Sequence, residues 1–183
     1  MDIQACHDDD RGLLQAVARG EAVSVRRLLD EVAPVVYGFL YARVGGNQAA
    51  AEDLLQETLL EAVRSASSFR GDSALSTWLC AIGRRRLARH YEAERRAEVV
   101  RRGLRAVEGG RDTDDAGVER RDQVVRALGT LPALHRQVLV HKYMDDMSVE
   151  DIATALGRSR VQVQSLLQRA RESMRKAVGD DHD

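Results

Sequence analysis

Apolar residues recur at steps of three and four along nearly the whole chain, and the pattern lapses once, between Gly103 and Asp122. A period near 3.6 belongs to helices that bury one face. The lapse holds Gly103, Gly109, Gly110 and Gly117 among acidic residues, the composition of a linker. The expected fold class is all-α, with two small helical domains at 10–97 and 122–178 and a flexible linker, 98–121, between them. Composition agrees. Aromatic residues are 4% against 44% hydrophobic overall, so a core is affordable but strands are not favoured.

Individual helices follow from the same pattern. Arg11 to Gly20 forms a short amphipathic helix on Leu13, Leu14 and Val17. A longer stripe, Val25, Leu28, Leu29, Val32, Val36, Phe39 and Leu40, predicts a helix over about 22–44. Pro34 lies inside it and predicts a bend or break. Gly45-Gly46 ends that helix, and Asn47 can cap the next, which runs to about Ser65. Its inner side is Ala51, Leu54, Leu55, Leu59, Ala62 and Val63. A polar loop over 67–73 precedes a helix from about Ala74 to Arg96. Beyond the linker, a helix covers 124–129, and Pro132 fits the first position of the next, which reaches about Met144.

The last third is the most informative. Ser148 with Asp151, and Ser159 with Gln162, have the spacing of capping boxes. They open helices at 149–156 and 160–177, joined by Leu156-Gly157-Arg158-Ser159. A short glycine turn between two capped helices is a helix-turn-helix pattern. The second helix of such a pair lies in the major groove. Val163, Leu167, Ala170 and Met174 make its inward stripe. Arg160, Gln164, Gln168 and Arg171 fall on the other side, with Ser165 beside them. Gln pairs with adenine and Arg with guanine in bidentate fashion. Arg169, Arg175 and Lys176 are placed for phosphates, and Arg158, Ser159 and Gln162 complete the candidate set around the turn.

Charge supports nucleic acid as partner through its distribution. Residues 84–105 carry nine Arg against three Glu, and 158–176 carry five Arg and one Lys against one Glu, in a chain of net charge −1. Two basic patches in a neutral protein point to a polyanion. Enzyme chemistry is not expected. There is no Gly-rich phosphate loop and no nucleophile elbow, and His135 and His141 are six apart, a spacing that does not put them on one helix face. Cys6 and Cys80 match no zinc or redox spacing, and Cys80 reads as a buried small hydrophobe. No cofactor or metal is therefore expected. No apolar run reaches membrane-spanning length and no signal pattern opens the chain, so a cytoplasmic protein without membrane insertion is expected.

Two segments carry a family resemblance. The stretch Ala127 to Met174 resembles the fourth conserved region of sigma factors through Leu131-Pro132, Val138-Leu139, Ser148 to Ala153 and Arg169-Ala170-Arg171. Upstream, Ala51 to Val63, "AEDLLQETLLEAV", resembles the helix of the second conserved region. The segment "SSFRGDSALSTWLCAIGRRRLARHY" resembles the promoter-opening part that follows it. The third region of larger sigma factors is missing, which points to the extracytoplasmic-function group. A stand-alone helix-turn-helix repressor would leave the first motif and the second basic patch unexplained.

The resemblance implies a transcription initiation factor that binds core RNA polymerase and promoter DNA, recognises two promoter elements and aids melting. It implies polymerase contacts at Asp53, Gln56, Glu57 and Leu60, which share the face opposite the core stripe. It also implies that the loop from Phe69 to Thr77 captures a base flipped out of the non-template strand. Phe69, Arg70, Asp72 and Ser73 are the candidates there, with Trp78 more a core residue than a stacking platform. Arg84, Arg85, Arg89 and Arg96 are expected to hold the DNA backbone. Many relatives are held inactive by an anti-sigma protein, so such a partner is expected. The sequence departs from the pattern in places. Ala81 and Ile82 stand where primary sigma factors carry paired tryptophans, and Arg85 where some relatives have Asn. Val161 and Leu166 occupy positions often held by Gly and Arg, and an exposed Leu166 is expected to touch a thymine methyl or a protein partner.

Overall fold

The computed structural model describes residues 3–104 and 121–179, and all regular structure among them is helical. The first helices are α1 (Ile3–Ala18) and α2 (Ala22–Arg27), the latter running into a π-helical turn, Leu28–Val32. After it come α3 (Ala33–Arg43) and α4 (Gln48–Arg64). Pro34 explains the π turn. It has no N–H to give the carbonyl four residues back, so the chain widens just before it. The Ala33 N–H donates to Leu28 O, five residues upstream. The outcome is a local shift of register within a continuing helix rather than a break.

A 3₁₀ turn, Ala66–Ser68, and a loop lead into α5 (Leu75–Leu104). This helix extends beyond its expected end at Arg96, through the part of the expected linker that begins at 98. The remainder of that linker, 105–120, lies outside the described residues. The described residues continue with α6 (Arg121–Thr130) and α7 (Ala133–Leu139), a second π segment, Val140–Met144, then α8 (Val149–Leu156) and α9 (Arg160–Gly179). Pro132, with φ −51° and ψ 140°, caps α7 from outside rather than occupying its first turn.

The chain forms two compact units, Met1–Ala42 with Gln48–Arg89, and Arg43–Asn47 with His90–Asp183. The first has a core of Leu14, Val36, Leu40, Leu54, Leu79 and Ile82, all buried. Here α1 packs against α2 and α4. Outside that core Asp9 takes two hydrogen bonds from Arg27, at 2.7 and 3.3 Å. The hydrogen bonds and charge of Arg27 hold the Asp9 carboxyl below the usual carboxylate range.

The second unit takes in the later part of α5 because its side chains bond there. The buried Tyr91 hydroxyl donates to Arg43 O at 2.9 Å, and Arg136 pairs with Glu94. Arg43 donates to Asp145 Oδ1 through Nε at 3.1 Å and Nη2 at 2.8 Å, and also to Met144 O. Burial pushes the Asp145 carboxyl up, but His141 and Arg43 outweigh it and hold the group below its ordinary range. A buried charge kept this way needs its partners. Gly45 belongs to this unit for a steric reason: a Cβ there would meet Gly129 Cα at 2.6 Å. The apolar core joins Leu128, Val138, Ile152, Leu156, Val163 and Leu167.

Candidate nucleic-acid interface and partner face

The turn between α8 and α9 is built by its own side chains. Gly157 sits in the left-handed region, φ 60° and ψ 41°, which glycine adopts without a Cβ penalty. The Arg158 N–H then reaches Ala153 O and the Gly157 N–H reaches Thr154 O, closing a Schellman motif. At the start of α9, Ser159 N–H donates to Gln162 Oε1 at 2.9 Å and Gln162 N–H donates to Ser159 Oγ at 3.3 Å. These are the two reciprocal bonds of a capping box. At α8 the Asp151 N–H donates to Ser148 Oγ, but the Ser148 hydroxyl returns its bond to the Asp151 carboxylate rather than Asp151 reaching back to the backbone.

The structure places Arg158, Ser159, Arg160, Gln162, Gln164, Ser165, Gln168, Arg169 and Arg171 on the exposed side of this unit. They are not equally available. Ser159 and Gln162 are spent on the cap. Arg160 pairs with Glu150 at 3.2 Å, but both are well exposed, so the pair is weak. Arg171 Nε donates to the Tyr143 hydroxyl at 2.8 Å, with its guanidinium 5.8 Å from the ring centre. Tyr143 was not among the residues singled out from the sequence. An exposed aromatic just ahead of a helix-turn-helix, in a chain with four tyrosines, was the available signal.

Leu166 corrects one expectation. It is 3% exposed and sits in the core cluster with Val163, Leu167 and Ala170. The buried stripe of α9 is wide enough to hold both 166 and 167, so Leu166 cannot touch a thymine methyl. Val161, 73% exposed, is the apolar residue that faces out. Leu166→Ala is expected to destabilise this unit by about 2–5 kcal/mol, and Val161→Ala by no more than about 0.5 kcal/mol. Urea denaturation midpoints of the two variants check this.

On α4, Asp53, Gln56, Glu57 and Leu60 are all exposed, opposite the buried Ala51, Leu54, Thr58 and Ala62. Leu60 is 57% exposed, a solvent-facing leucine beside acids. Arg86 of α5 holds this face from its side, 3.4 Å from Glu57 and 3.0 Å from Glu61.

The loop ahead of α5 divides into anchor and surface. Phe69, expected to meet DNA, is 2% exposed and packs on Trp78 with ring centroids 5.1 Å apart. Burial of a large apolar ring at the loop's entry makes it the anchor and takes it off the candidate surface. Trp78 and Cys80 are both half-buried, so Cys80 is less enclosed than expected. Arg70 and Asp72 are exposed, Ser73 is half-buried, and Gly71 at φ 81° turns the chain between them. Along α5, Arg84, Arg85, Arg89 and Arg96 are exposed. Arg84 lies 5.5 Å over the Phe39 ring, and Arg96 pairs with Glu92. Among the described residues, no helix is long and apolar enough to cross a membrane, and no group of three His, Cys, Asp or Glu side chains is arranged to hold a metal ion.

Residues 28–97 match the family model of sigma-70 region 2, and residues 121–174 that of sigma-70 region 4. The extracytoplasmic-function (ECF) RNA polymerase sigma factor BldN of Streptomyces coelicolor is 29% identical, over 97% of this chain and 70% of that protein. The RNA polymerase sigma-H factor of Pseudomonas aeruginosa is 30% identical, over 93% of this chain and 94% of that one. A solved structure of the sigma factor RpoE in complex with the anti-sigma factor NepR from Bartonella quintana aligns with a TM-score of 0.48 at 25% identity, covering 86% of this chain and 97% of that one. Two sigma-70 regions in order, with relatives matched over 70% and 94% of their own length, place the chain in a family: it belongs to the extracytoplasmic-function sigma factors, the sigma-70-type subunits that direct RNA polymerase to promoters.

Proposed function

We propose that the chain does this through three separate surfaces. The observation that carries the assignment is the exposed Asp53, Gln56, Glu57 and Leu60 face of α4, in a chain that also presents a capped recognition helix. An acidic, polar face around one exposed leucine fits a basic partner surface with an apolar spot, and it docks on core polymerase. Residues 10–97 form the domain that binds polymerase and takes the promoter element nearer the start site. Residues 122–178 form the domain that reads the distal element with α9.

The loop from Arg70 to Thr77 captures a flipped non-template base. Extrusion of a base costs a few kcal/mol, so a pocket that binds it stabilises the melted state. Arg84, Arg85, Arg89 and Arg96 hold phosphates along α5. With Ala81 and Ile82 in place of a tryptophan wedge, melting depends on that capture. The chain performs no covalent chemistry of its own and works with polymerase in the cytoplasm. An anti-sigma protein is its inhibitory partner. The family resemblance supports that last assignment, and co-purification from cells under non-inducing conditions tests it.

The loop assignment has its own test. Asp72→Ala with Ser73→Ala is expected to leave initial promoter binding near normal and to reduce permanganate reactivity of unpaired thymines. Normal reactivity and normal transcription in that variant would remove the loop from the mechanism.

A further inference from the structure

The helix that follows the capture loop lacks a cap of its own. The first carbonyl of α5 to accept helical bonds is Ala74 O, from the N–H groups of Thr77 at 3.0 Å and Trp78 at 3.2 Å. Ala74 is therefore the N-cap residue, and its methyl group cannot accept a hydrogen bond. Nor does the neighbouring Ser73 supply one, since its hydroxyl is 3.4 Å from Ala74 O. The acceptor comes from α1, 65 positions upstream: Asp10 Oδ2 takes the Leu75 N–H at 2.8 Å. A carboxylate there also faces the positive end of the α5 dipole.

The same helix braces the other end of the loop. It packs against the 3₁₀ turn Ala66–Ser68, directly before Phe69. The buried Phe69 and the Asp10–Leu75 bond thus bracket Arg70 to Ala74. The preceding residue, Asp9, fixes α1 to Arg27 through its two hydrogen bonds. Asp10 lies outside the matched region, which begins at residue 28.

We propose that Asp10 is a positioning residue for promoter opening: it caps α5 from a distance and so sets the shape of the loop that captures the flipped base. This rests on the loop assignment above. Asp10 touches no DNA itself. A side chain whose only task is to hold the domain together would, when removed, weaken polymerase binding and both promoter elements alike. One that shapes the loop changes melting and base choice at the near element alone.

The experiment uses full-length protein assembled with core polymerase on a promoter library randomised in both elements. Asp10→Ala is expected to lower open-complex formation about fivefold, the effect of removing an N-cap. It should also flatten base preference in the near element and leave core binding and distal-element preference unchanged. Asp10→Asn keeps an acceptor and should behave as the parent. Where Asp10→Ala alone folds poorly, the double variant Asp10→Ala/Ala74→Asp decides, because a local cap should restore melting and base choice. Normal melting and base choice in Asp10→Ala, alongside a defective Asp72→Ala/Ser73→Ala protein, overturn the role of Asp10 and leave the loop assignment standing. A loop variant that melts and selects normally overturns both.

Discussion

Replacing Asp53, Gln56 and Glu57 together by Ala is expected to abolish association with core RNA polymerase while helicity stays intact. All three side chains are exposed, on the side of α4 away from Ala51, Leu54 and Thr58. Surface changes of this kind usually move stability by no more than about 0.5 kcal/mol each. Within the chain the replacement removes the Glu57–Arg86 pair at 3.4 Å, and the Glu57 side chain is 56% exposed there. Such pairs are worth little in water. Binding is different. Truncating one partner of a desolvated, hydrogen-bonded charge pair costs roughly 2–5 kcal/mol, and this variant removes two carboxylates and an amide together. Circular dichroism and gel filtration of the mixture with core enzyme report the two effects separately.

Variants of the recognition helix should divide into two kinds. Gln164→Ala is expected to cost roughly 1–3 kcal/mol on the preferred distal element and to relax the choice of base at one position. Its side chain is exposed, on the flank of the buried stripe of Val163, Leu167 and Ala170. Arg160→Ala should act in the same direction, since its exposed pair with Glu150 offers only weak competition for the guanidinium. Arg175→Ala, further along α9, should weaken all promoters about equally and reduce the salt slope by about one unit, as removal of one phosphate-binding cation does. Holoenzyme binding to a randomised distal element at two salt concentrations distinguishes them. A Gln164 variant with the parent's base preference would move the reading face to Ser165 or the turn at Arg158.

Much of this architecture was legible in the sequence because local interactions write it. The capping box at Ser159 and Gln162 joins residues three apart, and the structure contains both of its bonds. The stripes of α4 and α9 are likewise local. What could not be read depends on width, register or distance. Periodicity gives the centre of a buried stripe but not its edge, so Leu166 went to the wrong side. It cannot distinguish a π turn from a bend at Pro34. The end of α5 was not legible because no buried stripe marks it: beyond Arg96 the helix continues to Leu104 with Val99 and Val100 exposed. Phe69 and Asp10 owe their roles to partners brought in by the fold, in the case of Asp10 from 65 positions away.

The most direct test of the central claim is selection of a fully randomised DNA library by core RNA polymerase, with and without the purified chain. The account predicts that the chain alone retains little duplex DNA and that the mixture enriches promoters with two separated blocks of preferred bases. The nearer block should lose its preference in the Asp72→Ala/Ser73→Ala variant and the distal block in Gln164→Ala. Strong, sequence-specific retention by the chain alone, unchanged by core enzyme and by the Asp53, Gln56 and Glu57 replacements, would contradict it.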